Sequence, residues 1–301
     1  MTRSSTDLPP FETVVIPLAA GDVEVRVAGP TDGRPLLLLH GALCDASFWD
    51  AVAERLAAAG YRCLAPTLPL GAHRHPMRPG TDLSPPGLAA LIAQLVERLG
   101  AAPVAVVSND SATALTQLLL AARPELVDRA VLTSGDAFDH FLPPIFRPVK
   151  LLCWLPGGMR ALAWVLRTPQ LHRLPMTFGW LTLRGLTPEQ TERWSGPLRA
   201  DRAVRRDTRA ILRGAHRRHT LGAVQALGTV TAPVLLAWSE HDRAFPRRLA
   251  ERLAETFPNA ELATVPDAAA FSPIDNPDRV AALVAGFVPT SEGRHLASRP
   301  A

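Results

Sequence analysis

The sequence predicts an α/β fold: a mostly parallel, eight-stranded sheet with helices on both faces and a helical insertion over one end. Three observations predict it. Short apolar runs bounded by Pro, Gly or Asp alternate with helical patterns along the chain. Two of these runs, 36–39 and 104–107, are apolar without interruption, as strands buried on both faces are, and they belong near the middle of the sheet. About a hundred residues between Thr133 and Val234 then abandon the rhythm, far more than an ordinary connection needs.

The strand candidates are 13–17, 23–28, 35–40, 62–66, 104–108, 130–133, 234–238 and 261–265. Helical patterns cover 46–59, 85–99, 111–122, 246–256 and 277–287. In the second, Leu88, Leu91, Ile92, Leu95, Val96 and Leu99 recur at steps of three and four, and Gly100 supplies a stop. The expected organisation is a core of 1–138 and 231–289, a helical cap of 139–230, and loose ends at 1–10 and 290–301. The expected cap carries 15 Lys plus Arg against 5 Asp plus Glu, a net +10 in a chain whose total is +4. The rest is therefore acidic.

With 301 residues, 47% hydrophobic and 20% charged, the chain can bury a large core and has ordinary globular composition. Cys44, Cys63 and Cys153 are odd in number and widely spaced, which suggests neither a disulfide framework nor a metal site. No metal or other cofactor is expected. The N-terminus lacks a secretory h-region, and the most apolar stretch, 151–166, is interrupted by Pro156, Gly157, Gly158 and Arg160. It falls short of the roughly 20 apolar residues of a spanning helix. A cytoplasmic location without membrane insertion is the default expectation. The series Arg199, Arg202, Arg205, Arg206, Arg209 and Arg213 has helical spacing. Such a series ordinarily marks a solvated outer face, the alternative being a site for an acidic ligand or partner. No nucleic-acid-binding signature accompanies it, and the sequence does not give an oligomeric state.

Two motifs carry chemistry. His40-Gly41 follows the third strand, where a glycine lets the backbone turn and present N–H groups, although a plain strand-to-loop turn reads the same way. The fifth strand ends in Ser108-Asn109-Asp110-Ser111-Ala112 and passes at once into a helix. This is the strand, sharp turn and helix of a nucleophile elbow, whose small flanking residues let strand and helix approach. Asp110 is also a good N-cap for that helix, and the two roles are compatible.

On these residues the chain resembles the α/β-hydrolases, and within them a bacterial branch whose elbow reads GNDTGG. The likeness extends to Pro69–His73, Asp136-Ala137-Phe138, Leu235–Asp242 and Phe271–Val280. Haloalkane dehalogenases and epoxide hydrolases are similar in placing Asp at the elbow, where its carboxylate attacks carbon and forms an ester. The resemblance implies an acid after the seventh strand, where Asp242 stands, or after the sixth, where Asp136 stands. It also implies a histidine after the eighth strand, and that position holds Ala270. Releasing an ester from Asp110 needs a base worth a factor of about 10² to 10⁴, so the triad is incomplete unless a surrogate such as His73 serves.

The function expected from this is an enzyme acting on a small apolar substrate, with Asp110 as nucleophile or general base and Asp242, Asp136 and His73 as further catalytic candidates. His40 and Gly41 shape the oxyanion loop, and the N–H groups of Ala42 and Ser111 are its donors. Trp154, Leu155, Trp164, Phe178 and Trp180 are candidate pocket lining. The alternatives are a lyase, cyclase or isomerase that uses Asp110 for proton transfer, and a ligand-binding pseudoenzyme.

Overall fold

The computed structural model describes residues 11–290 apart from 173, 175 and 176; the ends expected to be loose, at 1–10 and after Thr290, lie outside the described residues. Eight strands form one sheet: β1 (Glu12–Leu18), β2 (Gly21–Ala28), β3 (Arg34–Leu39), β4 (Tyr61–Pro66), β5 (Val104–Asp110), β6 (Val127–Gly135), β7 (Val234–Ser239) and β8 (Ala260–Val265). Their order is β1-β2-β4-β3-β5-β6-β7-β8. β2 pairs antiparallel with β1 and β4, and every other pairing is parallel. The uninterrupted apolar runs put β3 and β5 side by side at the centre, where Leu36, Leu39, Val104 and Val107 lose all exposure.

The helices are α1 (Asp50–Ala58), α2 (Pro85–Arg98), α3 (Ser111–Ala122), α4 (Arg147–Leu152), α5 (Gly158–Arg167), α6 (Pro188–Ala200), α7 (Arg202–Gly214), α8 (Arg218–Leu227), α9 (Arg248–Thr256), α10 (Ser272–Asp275) and α11 (Pro277–Phe287). Ser84 caps α2 by accepting the Gly87 N–H, and Gly100 past its end takes φ +60°, the left-handed turn that terminates helices. The pattern at 46–59 begins as a 3-10 turn, because the buried Asp45 carboxylate draws in the Ser47 N–H before α1 starts. Between β6 and β7 the described residues contain five α-helices and no strand.

Three buried carboxylates tie this segment to the rest. Asp45, after β3, accepts from Arg193 Nε at 2.6 Å and Trp194 Nε1 at 3.1 Å on α6. Asp207 on α7 accepts the Met77 N–H at 2.8 Å. Asp275 on α10 accepts from the Thr182 hydroxyl at 2.6 Å, from the N–H groups of Leu183 and Arg184, and from the Ala269 N–H at 2.9 Å. Phe48, Phe178, Trp194 and Phe271 fill the space between these ties with ring centroids 5.0–6.4 Å apart. α4 and α5 are joined differently. Among the described residues, the side chains of 145–171 form polar bonds only within the segment, as Lys150 does to the Ala215 carbonyl and Arg167 to Glu192. No helix among the described residues is long and apolar enough to cross a membrane.

Candidate active site

β5 runs straight into α3, and the junction residue Asp110 takes φ +57°, ψ −129°, a sparsely populated conformation that persists only where its surroundings enforce it. The flanking Ser108 and Ala112 are fully buried, small enough for strand and helix to close up. The loop after β3 presses on the same turn. A Cβ on Gly41 would stand 2.5 Å from Asp110 Cβ and 2.9 Å from its Oδ2, so only glycine fits. Gly41→Ala is expected to push the carboxyl off its position and cost about 1–3 kcal/mol, the usual range for overpacking; chemical denaturation reads the stability, and a crystal structure the displacement.

Asp110 opens into a cavity of about 240 Å³. Its walls are apolar and come largely from the segment between β6 and β7, with Phe146, Leu152, Leu162, Val165, Phe178 and Leu212 among them. The polar side chains on its surface are Asp110, Ser111, Asp136 and Thr177. Burial pushes the Asp110 carboxyl up to about 7; the Ser111 N–H favours its ionised form, and the Asp242 charge adds to the rise. Burial, then the charge of Asp110, hold Asp136 well above the usual carboxylate range, although Asp136 Oδ1 accepts the Leu142 N–H at 2.8 Å. Two carboxyls sharing a dry site cannot both ionise cheaply. Both carboxyls are therefore held above the usual carboxylate range, each chiefly by burial.

The proposed oxyanion donors are already engaged. The Ala42 N–H donates to Ser111 Oγ at 2.8 Å, and the Ser111 N–H donates to the Asp110 carboxylate. His40 does not face the cavity. Its Nε2 accepts the Leu68 N–H at 2.9 Å, its Nδ1 lies 2.8 Å from the Gly41 carbonyl, and burial pushes it down to about 4. It is a neutral strut shaping the loop. His73, expected as a surrogate base, is turned away as well: Nε2 lies 3.3 Å from Asp207 on α7, and Nδ1 accepts the Gly71 N–H. No described histidine lines the cavity. Asp242 accepts the N–H groups of Ala244 and Phe245 through Oδ1 and is raised by burial to about 6; it is not among the residues that line the cavity.

Ala270 is fully buried, and its loop is locked. Asn109, beside the elbow residue, donates from Nδ2 to the Ala270 carbonyl at 2.7 Å and to Thr133 Oγ1 at 2.8 Å. The Phe271 N–H bonds the Leu181 carbonyl at 2.6 Å. Neither Asn109 nor Asp207 stood out in the sequence, because each works through a partner more than a hundred residues away. Of the aromatic lining candidates, Phe178 reaches the cavity. Trp154, Leu155 and Trp164 are instead 61%, 53% and 63% exposed. The reason for Trp164 is helical phase: Met159, Leu162, Ala163 and Leu166 take the inner face of α5 and leave Trp164 outside. Trp154 lies under the Arg213 guanidinium, 4.4 Å from its centroid, and Trp180 is 6.0 Å from that of Arg243.

The family model described as the alpha/beta hydrolase family matches residues 36–283. The chain belongs to the α/β-hydrolase family. Its fold is shared with the haloalkane dehalogenase DbeA from Bradyrhizobium elkani, at TM-score 0.78 and 22% identity over 96% of this chain and 100% of that one. A thermophilic esterase from Thermogutta terrifontis superimposes at TM-score 0.69 with 20% identity over 92% and 97%. An uncharacterised protein of Mycobacterium tuberculosis is 26% identical over 288 residues, which is 89% of this chain and 78% of the relative. Among the described residues this chain combines the family's sheet with a pair of buried carboxyls and no imidazole on the cavity surface.

Proposed function

We propose that this α/β-hydrolase is an enzyme that takes an apolar small molecule into the cavity beneath a cap formed by 139–230, and that Asp110 is its reacting group. The observation that carries this reading is a carboxyl held on a strained turn in an apolar cavity whose surface carries a second buried carboxyl, Asp136, both raised by burial. Asp110 at about 7 is matched to proton transfer near neutral pH. Asp136, whose carboxyl burial and the charge of Asp110 hold above the usual range, returns a proton to the other end of the same substrate. Environments that drive two titratable groups apart in this way separate a base from an acid. The reaction class is abstraction and return of a proton, as in an isomerase, lyase or cyclase.

Hydrolysis through an ester on Asp110 is the second reading, supported by one contact. The Ser111 N–H on the Asp110 carboxylate would stabilise the oxyanion formed when water attacks that ester. It lacks a base at Ala270. The test is a panel of activated esters, alkyl halides and epoxides assayed for hydrolysis, beside small apolar ketones and alkenes incubated in D₂O and read by mass spectrometry for deuterium uptake or rearrangement. Proton transfer is supported by uptake or rearrangement that needs Asp110 and Asp136, and it is overturned by robust hydrolysis in the wild type. Ala270→His separates the readings further. Under the ester reading it raises hydrolysis by about 10²-fold; under proton transfer it does not. In either case the new ring enters a fully buried site and is expected to lower stability by about 1–3 kcal/mol.

A further inference from the structure

The arginine series of α7 remains unexplained by the cavity chemistry. Arg202, Arg205, Arg206, Arg209 and Arg213 of α7 are joined by Arg160 of α5 around one open groove of about 840 Å³, in which Asp201 is the only carboxylate. Asp201 is occupied in capping α7 through the Ala203 N–H at 2.6 Å. Arg206 pairs with Asp207, and Arg205 bonds the Leu198 and Arg199 carbonyls. Arg160, Arg202 and Arg209 make no side-chain hydrogen bond or ion pair with any described residue, and Arg209 Nε is buried without a partner. Like charges three and four apart on one helix repel, so this cluster stands in need of anions.

A second feature adjoins it. Leu151 near the end of α4, and Trp154 and Leu155 in the turn that follows it, are exposed at 64%, 61% and 53%, and Trp154 touches the groove through Arg213. A solvated arginine face alone would not carry large apolar side chains into water. Arginines over exposed leucine and tryptophan are the composition of a surface that lies in a lipid interface, with rings and aliphatic chains below the headgroups and guanidiniums among the phosphates. The groove is concave and basic, complementary to anionic headgroups.

We propose that the face made by α4, α5 and α7 docks on an anionic membrane surface. Leu151, Trp154 and Leu155 enter the interface, while Arg160, Arg202 and Arg209 take the lipid phosphates. α5 and α7 also line the cavity, with Leu162 and Leu212, so docking sets the cavity wall against the bilayer, where apolar molecules concentrate. The docking stands independently of whether Asp110 reacts.

Flotation of the full chain with vesicles tests this. Vesicles of phosphatidylcholine alone and of phosphatidylcholine with about 30% phosphatidylglycerol are compared in about 50 mM and about 500 mM salt. The expected result is binding to the anionic vesicles only, lost at high salt. Trp154→Ser with Leu155→Ser, and separately Arg160→Gln with Arg209→Gln, are each expected to weaken partitioning about tenfold or more, and Arg98→Gln to leave it unchanged. Trp154, Leu155 and Arg160 are exposed, and circular dichroism verifies that each variant is folded. No binding to anionic vesicles overturns the proposal. So does binding that the arginine pair abolishes but the Trp154 and Leu155 pair leaves intact, which would mark a groove for soluble polyanions instead.

Discussion

Asp110→Asn is expected to abolish turnover of any substrate found with the panel, by about 10³-fold or more, while making the protein more stable above neutral pH. Loss of activity follows from removing the group that accepts a proton or attacks carbon. The gain in stability follows from linkage. Burial raises the folded-state value of Asp110 to about 7, whereas an unfolded Asp titrates near about 3.9. Between those values the folded state binds the proton that the unfolded state has released. Stability contributed by Asp110 at low pH is therefore lost as pH rises from about 4 through about 7. The amide cannot ionise and does not suffer this loss. The stability gap between variant and wild type should open across that window and level off near pH 8 at on the order of 2–4 kcal/mol. Denaturation by guanidinium at pH 5 and pH 8 reads it. Asp136 and Asp242 are raised in the same direction, so part of the wild-type slope persists in Asp110→Asn. A variant that retains turnover removes Asp110 from the reaction, and one that is no more stable at pH 8 than at pH 5 relative to wild type shows instead that burial does not raise this carboxyl.

Asp275→Ala is expected to be the most destabilising single change among the ties, at about 3–5 kcal/mol. The side chain has no exposure, and its two oxygens gather three backbone N–H groups and the Thr182 hydroxyl. Alanine leaves these donors without an acceptor, and an unsatisfied buried donor costs far more than a made hydrogen bond contributes. A fall of roughly 5–10 °C in melting temperature is expected. Asp32→Ala, on an exposed turn, should stay within about 0.5 kcal/mol of wild type. Asp275→Asn should recover part of the loss, because one carbonyl oxygen remains to accept.

The sheet was legible in the sequence because two-sided burial demands apolar runs, and 36–39 and 104–107 have few other uses. The sharp turn at Asp110 was legible because a junction between strand and helix needs small neighbours, and Ser108 and Ala112 meet that need around an Asp that tolerates positive φ. Periodicity is blind to partners far along the chain. It could not tell that His73 would be turned toward Asp207, 134 residues on, or that Ser111 would place its own hydroxyl on the Ala42 N–H. Nor does an apolar residue announce which surface it faces. Trp154 and Phe178 read alike as lining, and only the tertiary packing sends Trp154, in the turn after α4, outward and Phe178 into the cavity.

The segment over the cavity is bonded unevenly to the sheet. Moving α6 or α7 away from the sheet would strand the Asp45 and Asp207 carboxylates together with the donors they hold. α4 and α5 meet the sheet domain through apolar side chains alone among the described residues. Apolar contact has no preferred direction, so moving these two helices relative to the sheet breaks no polar bond to it, whereas moving them relative to α6 and the end of α7 gives up the bonds of Arg167 and Lys150.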